Sequence, residues 1–204
     1  MPLRNRVTPF GEIVAVPGRG TLMGNRGVLH NPRGELVRDS QVKRWIACRL
    51  EFRGRHRKLL QPGRWTELFF LDEAAALAVG HRPCAECRHA DYVLFRDAWQ
   101  AAHGDGPWPA DAMDDRLHPE RRAGPWHKRT SVTDIASLPD GAYIALDDRA
   151  WLVLGDRLLA WSPDRYVERR PRPASGEVTV LTPPSIVAVL RAGYIPALHP
   201  TAAE

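Results

Sequence analysis

The clearest alternation in the chain runs from Arg44 to Phe52. Ile46, Cys48, Leu50 and Phe52 fall on one face and Trp45, Ala47, Arg49 and Glu51 on the other, a period of two that predicts a strand. The face that carries Cys48 is the expected buried one. Ile13–Val16 predicts a shorter strand stopped by Pro17-Gly18, and Trp65–Leu71 an aromatic-rich one. Between them Gly18–Gly27 is glycine-rich but matches neither the P-loop nor the dinucleotide fingerprint, so tight turns joining strands are expected there rather than an anion site. The period then changes. Asp72 reads as the N-cap of a helix over 72–79 built on Ala74, Ala75, Ala76 and Ala78, with Gly80 at its end. A second helix is expected over 90–102, ending at Gly104, with Val93, Leu94, Ala98 and Trp99 toward the core.

Helix breakers near 104–109 and at Gly124-Pro125 predict a linker over 104–130 with one short helix around 110–117. Beyond it, 142–146, 150–154 and 158–161 predict an antiparallel meander turned at Asp147-Asp148 and Gly155-Asp156. A Pro-rich loop over 169–176, a strand over 178–181 and a helix over 185–192 opened by Pro184 complete the pattern. The expected fold is α+β. An N-terminal module, 1–103, combines a β-hairpin with helices around a treble-clef-like zinc knuckle, and 131–204 forms a small β-meander with a C-terminal helix.

At 204 residues the chain fits one large or two small domains. It contains no apolar run of roughly 18 residues and no apolar stretch behind Arg4 and Arg6, so neither a membrane span nor a secretory signal is expected and the cytoplasm is the default compartment. Charge changes the picture more. Residues 1–70 hold 14 Lys and Arg against 5 Asp and Glu, whereas the remainder holds 15 against 19. All the positive excess therefore lies in the first third, the footprint of a nucleic-acid binder. Its densest part is Lys43, Arg44, Arg49, Arg53, Arg55, Arg57 and Lys58, with Trp45 and Phe52 interleaved; cations can hold phosphates while aromatics stack on bases.

Candidate chemistry centres on Pro83-Cys84-Ala85-Glu86-Cys87-Arg88. A Cys-x-x-Cys turn between two helices lets two thiolates reach one Zn²⁺, favoured by the positive end of the following helix. Haem attachment would need His where Arg88 stands, and a helix rather than a strand precedes the pair, unlike a thioredoxin-type site. With Cys48 the cysteine count is three, which suits a metal better than a disulfide framework.

Residues 68–88, an aromatic strand, an alanine-rich helix and Gly80-His81-Arg82-Pro83-Cys84-Ala85-Glu86-Cys87-Arg88, resemble the metal-binding domain of Ada-type DNA alkylation-repair proteins. The likeness extends over about 20–103. In that family four cysteines hold zinc and one accepts a methyl group from a DNA phosphotriester. The resemblance implies that Cys84 and Cys87 are the C-terminal ligand pair. Upstream the family has two cysteines close together and this chain has Cys48 alone. That departure argues against methyl transfer and leaves a metal site in which a histidine replaces the missing thiolate, as Cys₃His sets do.

His30, at the end of a possible hairpin strand, is the first candidate for that position and His56, on the basic turn, the second. His89 should point along the new helix, and His81 takes the family's aromatic position as a packing residue. The expected function is a protein carrying structural Zn²⁺ that associates with nucleic acid, DNA rather than RNA, in repair or regulation. Its competitor is an enzyme, acting either through a reactive Cys48 or through Asp114, Asp115, His118, Glu120, His127 and Lys128 as a metal or acid–base site. A third reading makes Trp151, Trp161, Tyr166 and Tyr194 an interaction surface of the C-terminal half.

Overall fold

A computed structural model describes residues 1–54, 58–104 and 106–204. Among these residues no helix is long and apolar enough to cross a membrane. The first six strands are β1 (Arg6–Val7), β2 (Ile13–Val14), β3 (Leu22–Asn25), β4 (Ile46–Arg49), β5 (Leu68–Phe70) and β6 (Arg82–Pro83). They form one mixed sheet in the order β2-β1-β5-β3-β4-β6, with β1–β5 and β4–β6 parallel and the other pairs antiparallel. The glycine-rich stretch becomes β3 and its approach. Its glycines serve packing: a Cβ on Gly20 would strike Phe70 O at 1.9 Å, and one on Gly24 the Phe70 ring at 2.3 Å.

Helices α1 (Glu73–Ala78), α2 (His89–His103) and α3 (Ala110–Arg121) follow, then a hairpin of β7 (Arg122–Gly124) and β8 (His127–Lys128). The second sheet holds β9 (Ser131–Asp134), β10 (Tyr143–Leu146), β11 (Arg149–Leu154), β12 (Arg157–Trp161), β13 (Tyr166–Pro171) and β14 (Glu177–Val180). All its pairs are antiparallel, in the order β13-β12-β11-β10-β14-β9, and α4 (Pro184–Arg191) follows, with a 3-10 turn at Pro200–Ala202 after it. Asp147 and Asp148 both take positive φ, 52° and 56°, the left-handed pair that a two-residue hairpin turn requires.

Every residue of α1 is buried, which explains its composition. A helix enclosed on all sides must be slim, and alanine is both the slimmest apolar choice and the best helix former. Ala76 and Val79 pack with Leu29, Leu68 and Phe70 under the first sheet. Ala74, Ala75 and Ala78 pack with Tyr143, Leu152 and Leu159 of the second. Leu77 enters the largest cluster, with Phe95, Trp99, Met113, Leu117 and Trp151.

Several expectations need correction. The strand over 44–52 contracts to Ile46–Arg49, and its buried face is the opposite one. Trp45 and Ala47 are buried while Ile46 and Cys48 are only half-buried, because the layer beneath the sheet contacts the Trp45 side. On α2 the buried residues are Phe95 and Trp99, and Leu94 is 62% exposed. The helix expected around 110–117 extends to Arg121 and buries Met113 and Leu117. Part of the expected Pro-rich loop is β13, and β1 and β9 had no readable signal.

Asp72 caps α1 as predicted, accepting from Ala75 N at 2.9 Å. Its other oxygen accepts from Tyr166 OH at 2.6 Å and His199 N at 3.0 Å, so one buried carboxylate joins both halves of the chain. Asp72→Ala removes the cap and the acceptor shared by Tyr166 OH and His199 N. Urea denaturation should show a loss of about 2–4 kcal/mol, and Asp72→Asn, which keeps an acceptor for the cap, a smaller one.

Candidate metal centre

The sulfurs of Cys48, Cys84 and Cys87 all lie within 4.8 Å of one another. Two features of the chain bring them together. The parallel pairing of β6 with β4 sets Cys84 beside Cys48, through hydrogen bonds from Arg82 N to Trp45 O (3.1 Å) and Cys84 N to Ala47 O (3.0 Å). The turn after Cys84, closed by Arg88 N donating to Cys84 O at 3.0 Å, then swings Cys87 back to the same point. Arg88 starts α2 and is itself fixed, its guanidinium lying 2.8 Å from both Glu73 and Asp91.

All three thiols are free, and they influence one another strongly. Hydrogen bonds from Cys48 and Cys87 pull the Cys84 thiol far below its ordinary range, helped by the backbone N–H groups of Cys87 and Glu86. The same contacts with Cys84 and then Cys87, followed by burial, push the Cys48 thiol up. The N–H of Arg49 bonds Cys87. Such N–H···S contacts orient metal-binding thiolates. Three sulfurs around Zn²⁺ at about 2.3 Å lie about 3.8 Å apart in a tetrahedron, so the observed set needs to contract by no more than about 1 Å. A divalent cation would also let all three ionise together, which they cannot do alone.

The cluster forms the floor of a cavity of about 590 Å³, a volume typical of ligand sites. Arg6, Arg19 and Arg49 stand in its walls beside Glu51, Glu67 and Glu86, with Phe52, Trp65 and Phe69, and the Arg6 guanidinium lies 4.7 Å over the Phe69 ring. Cys84 and Cys87 are buried and Cys48 is half-buried. The alternation of β4 accounts for this: Ile46 and Cys48 face the cavity while Trp45 and Ala47 face the core.

His30 is not among the clustered ligand atoms. Its Nδ1 is 2.6 Å from Thr66 Oγ1 and its Nε2 is 3.2 Å from Gln61 O, so both ring nitrogens are engaged in bracing the segment around Leu29. His56, with Arg55 and Arg57, lies outside the described residues. His81 is fully buried between Trp45 (5.2 Å) and Phe70 (4.6 Å), and burial holds it neutral with its pKa well below the usual value. His89 is bonded to Ala85 O at 3.1 Å.

The basic patch separates in space. Arg49 and the Phe52 ring that Arg53 covers at 5.0 Å belong to the cavity, and Lys58 is exposed. Lys43 and Arg44 instead face the acidic side of α3, with Lys43 2.8 Å from Asp115. Arg6 and Arg19 join the cavity with no local signal to mark them. The polar residues of 114–128 do not converge. Asp114 is buried 2.7 Å from Arg82, Glu120 accepts from Ser185 N and Oγ at the start of α4, His118 Nδ1 has no partner, and His127 bonds Pro125 O. Trp151, Tyr166 and Tyr194 are buried core residues, and Trp161 packs half-buried against the cluster that holds Tyr166.

One zinc per chain is expected on metal analysis, lost in Cys48→Ala, Cys84→Ala and Cys87→Ala. His30→Ala should keep the metal and instead lower stability by about 1–3 kcal/mol, since it removes the ring nitrogen that pairs with the buried Thr66 hydroxyl. No family model, curated protein or solved structure matches the chain.

Proposed function

We propose that the protein binds one Zn²⁺ through Cys48, Cys84 and Cys87 and associates with nucleic acid through the arginines around that centre. The observation that carries this reading is the shared location: the cysteine cluster and three arginines line one cavity together with aromatic rings. Zinc would cross-link β4 to the start of α2 and so hold Arg49 and the turn at fixed distance from Arg6 and Arg19. Guanidiniums in such a frame suit phosphate oxygens, and aromatic rings beside them suit contact with bases. DNA is the favoured partner, on the strength of the resemblance to Ada-type domains.

The competing reading is an enzyme that uses Cys48 as a nucleophile. Its support is the partial exposure of that thiol on the cavity floor. Brief iodoacetamide treatment of the zinc-loaded protein separates the two: selective alkylation of Cys48 favours the enzyme, and protection of all three thiols a structural centre.

Binding to a short DNA, followed by fluorescence anisotropy, should weaken steeply as salt rises, because neutralised phosphates release counterions. Arg49→Ala should weaken it more than Lys43→Ala, whose cation already faces Asp115. No binding to DNA or RNA at low salt would refute the nucleic-acid reading and leave the metal centre standing.

A further inference from the structure

The side of the first sheet away from the cysteines holds a second, smaller cavity, of about 210 Å³, beside Trp45. Among the described residues five cations line it, Arg4, Arg26, Arg121, Arg122 and Lys128, against two carboxylates, Glu12 and Asp39. Asp39 is already committed, one oxygen to Arg122 Nη2 and the other to Trp126 N, both at 3.0 Å. Arg26 is only 2% exposed; its Nε donates to neutral His81 at 3.4 Å and its Nη2 has no partner. The Nε atoms of Arg121 and Arg122 also lack partners. Lys128 gives its ammonium to Ala78 O at 2.6 Å, a carbonyl and not a counter-charge.

These cations crowd one ring. Arg26 lies 4.1 Å and Arg121 4.2 Å from the centre of Trp45. The carboxylate nearest Arg121 is Asp114, at 4.0 Å, and it is held more closely by Arg82 at 2.7 Å. Burial, and then Arg26 and Arg121, push the Lys128 ammonium down to about 7, a sign of positive charge lacking an anion. Guanidiniums cannot shed their charge in this way near neutral pH.

We propose that this cavity is a binding site for a phosphate group, seated among Arg26, Arg122 and Lys128. Guanidinium forks match the oxygens of a tetrahedral oxyanion, and an ammonium adds a point charge. The volume falls below the roughly 300 Å³ at which small-molecule sites begin, so it suits a phosphate group and not a whole nucleotide. The phosphate is either free or part of a nucleic-acid backbone that passes over the rim at Trp126, which is 48% exposed. The site needs neither the metal nor the nucleic-acid reading of the opposite face.

Calorimetric titration of inorganic phosphate into the zinc-loaded full chain, in a phosphate-free buffer, should show one saturable site. Arg26→Met endangers the fold, so the decision rests on the shallower Arg122→Gln and Lys128→Met. Each should weaken phosphate by about tenfold or more, the loss of one charged hydrogen bond, with zinc content and thermal transition retained. A short DNA that displaces phosphate competitively, and is itself weakened by Lys128→Met, would identify a backbone phosphate as the natural occupant. Saturable phosphate binding that DNA leaves untouched would identify a free one. Absence of saturable binding, or binding unaffected by either variant, would overturn the proposal.

Discussion

The parallel pairing of β6 with β4 is the interaction on which the candidate centre rests. Only two residues long, β6 lies between α1 and the cysteine turn, and two N–H donors, from Arg82 and Cys84, attach it to the carbonyls of Trp45 and Ala47. Those bonds set the register in which Cys84 meets Cys48 across the strands. They also decide what lies on each side of the sheet. Trp45 goes inward to a buried cluster of cations, and Cys48 goes outward to the larger cavity. A parallel bridge this short has little strength of its own, so it must be held from outside.

Helix α1 provides that hold. Its alanines let it pass between the two sheets, and its two leading carboxylates bind the far end of the chain. Asp72 receives Tyr166 and His199, while Glu73 receives Tyr194 OH at 2.6 Å and Ala197 N at 3.0 Å and pairs with Arg88 at 2.8 Å. Arg88 directly follows Cys87. The C-terminal segment thus reaches the cysteine turn through one buried ion pair, and the second sheet supports the geometry of the first. A metal joining β4 to the start of α2 would reinforce the same junction.

Local signals were legible and long-range ones were not. The Cys-x-x-Cys turn, the Asp72 cap, the alanine run and the turn at Asp147-Asp148 each depend on a few adjacent residues, and each is found where the sequence places it. Alternation separated the faces only over 45–48, since Arg49 and Glu51 line the cavity with Cys48, and it carried no information about which face packs. That choice was made by Phe70, His81 and Arg26, remote in sequence from Trp45. His30 looked like a ligand because its hydrogen-bond partners, Thr66 and Gln61, are more than thirty residues away. Likewise Arg26, Arg121 and Lys128 form a cluster only after the chain has folded, and no run of basic residues announces it. The polar residues of 114–128 suggested a site by composition, yet the fold assigns Asp114 to Arg82 and Glu120 to the start of α4.

The first sheet consequently separates two kinds of chemistry, sulfur and arginine on one face and unbalanced positive charge on the other. The central claim is that three sulfurs share one zinc. X-ray absorption at the zinc edge of the purified protein tests it most directly. The account predicts a shell of three sulfurs at about 2.3 Å with one lighter nitrogen or oxygen neighbour at about 2.0–2.1 Å. A shell of nitrogen and oxygen alone, or a protein that holds no zinc after loading, would contradict it.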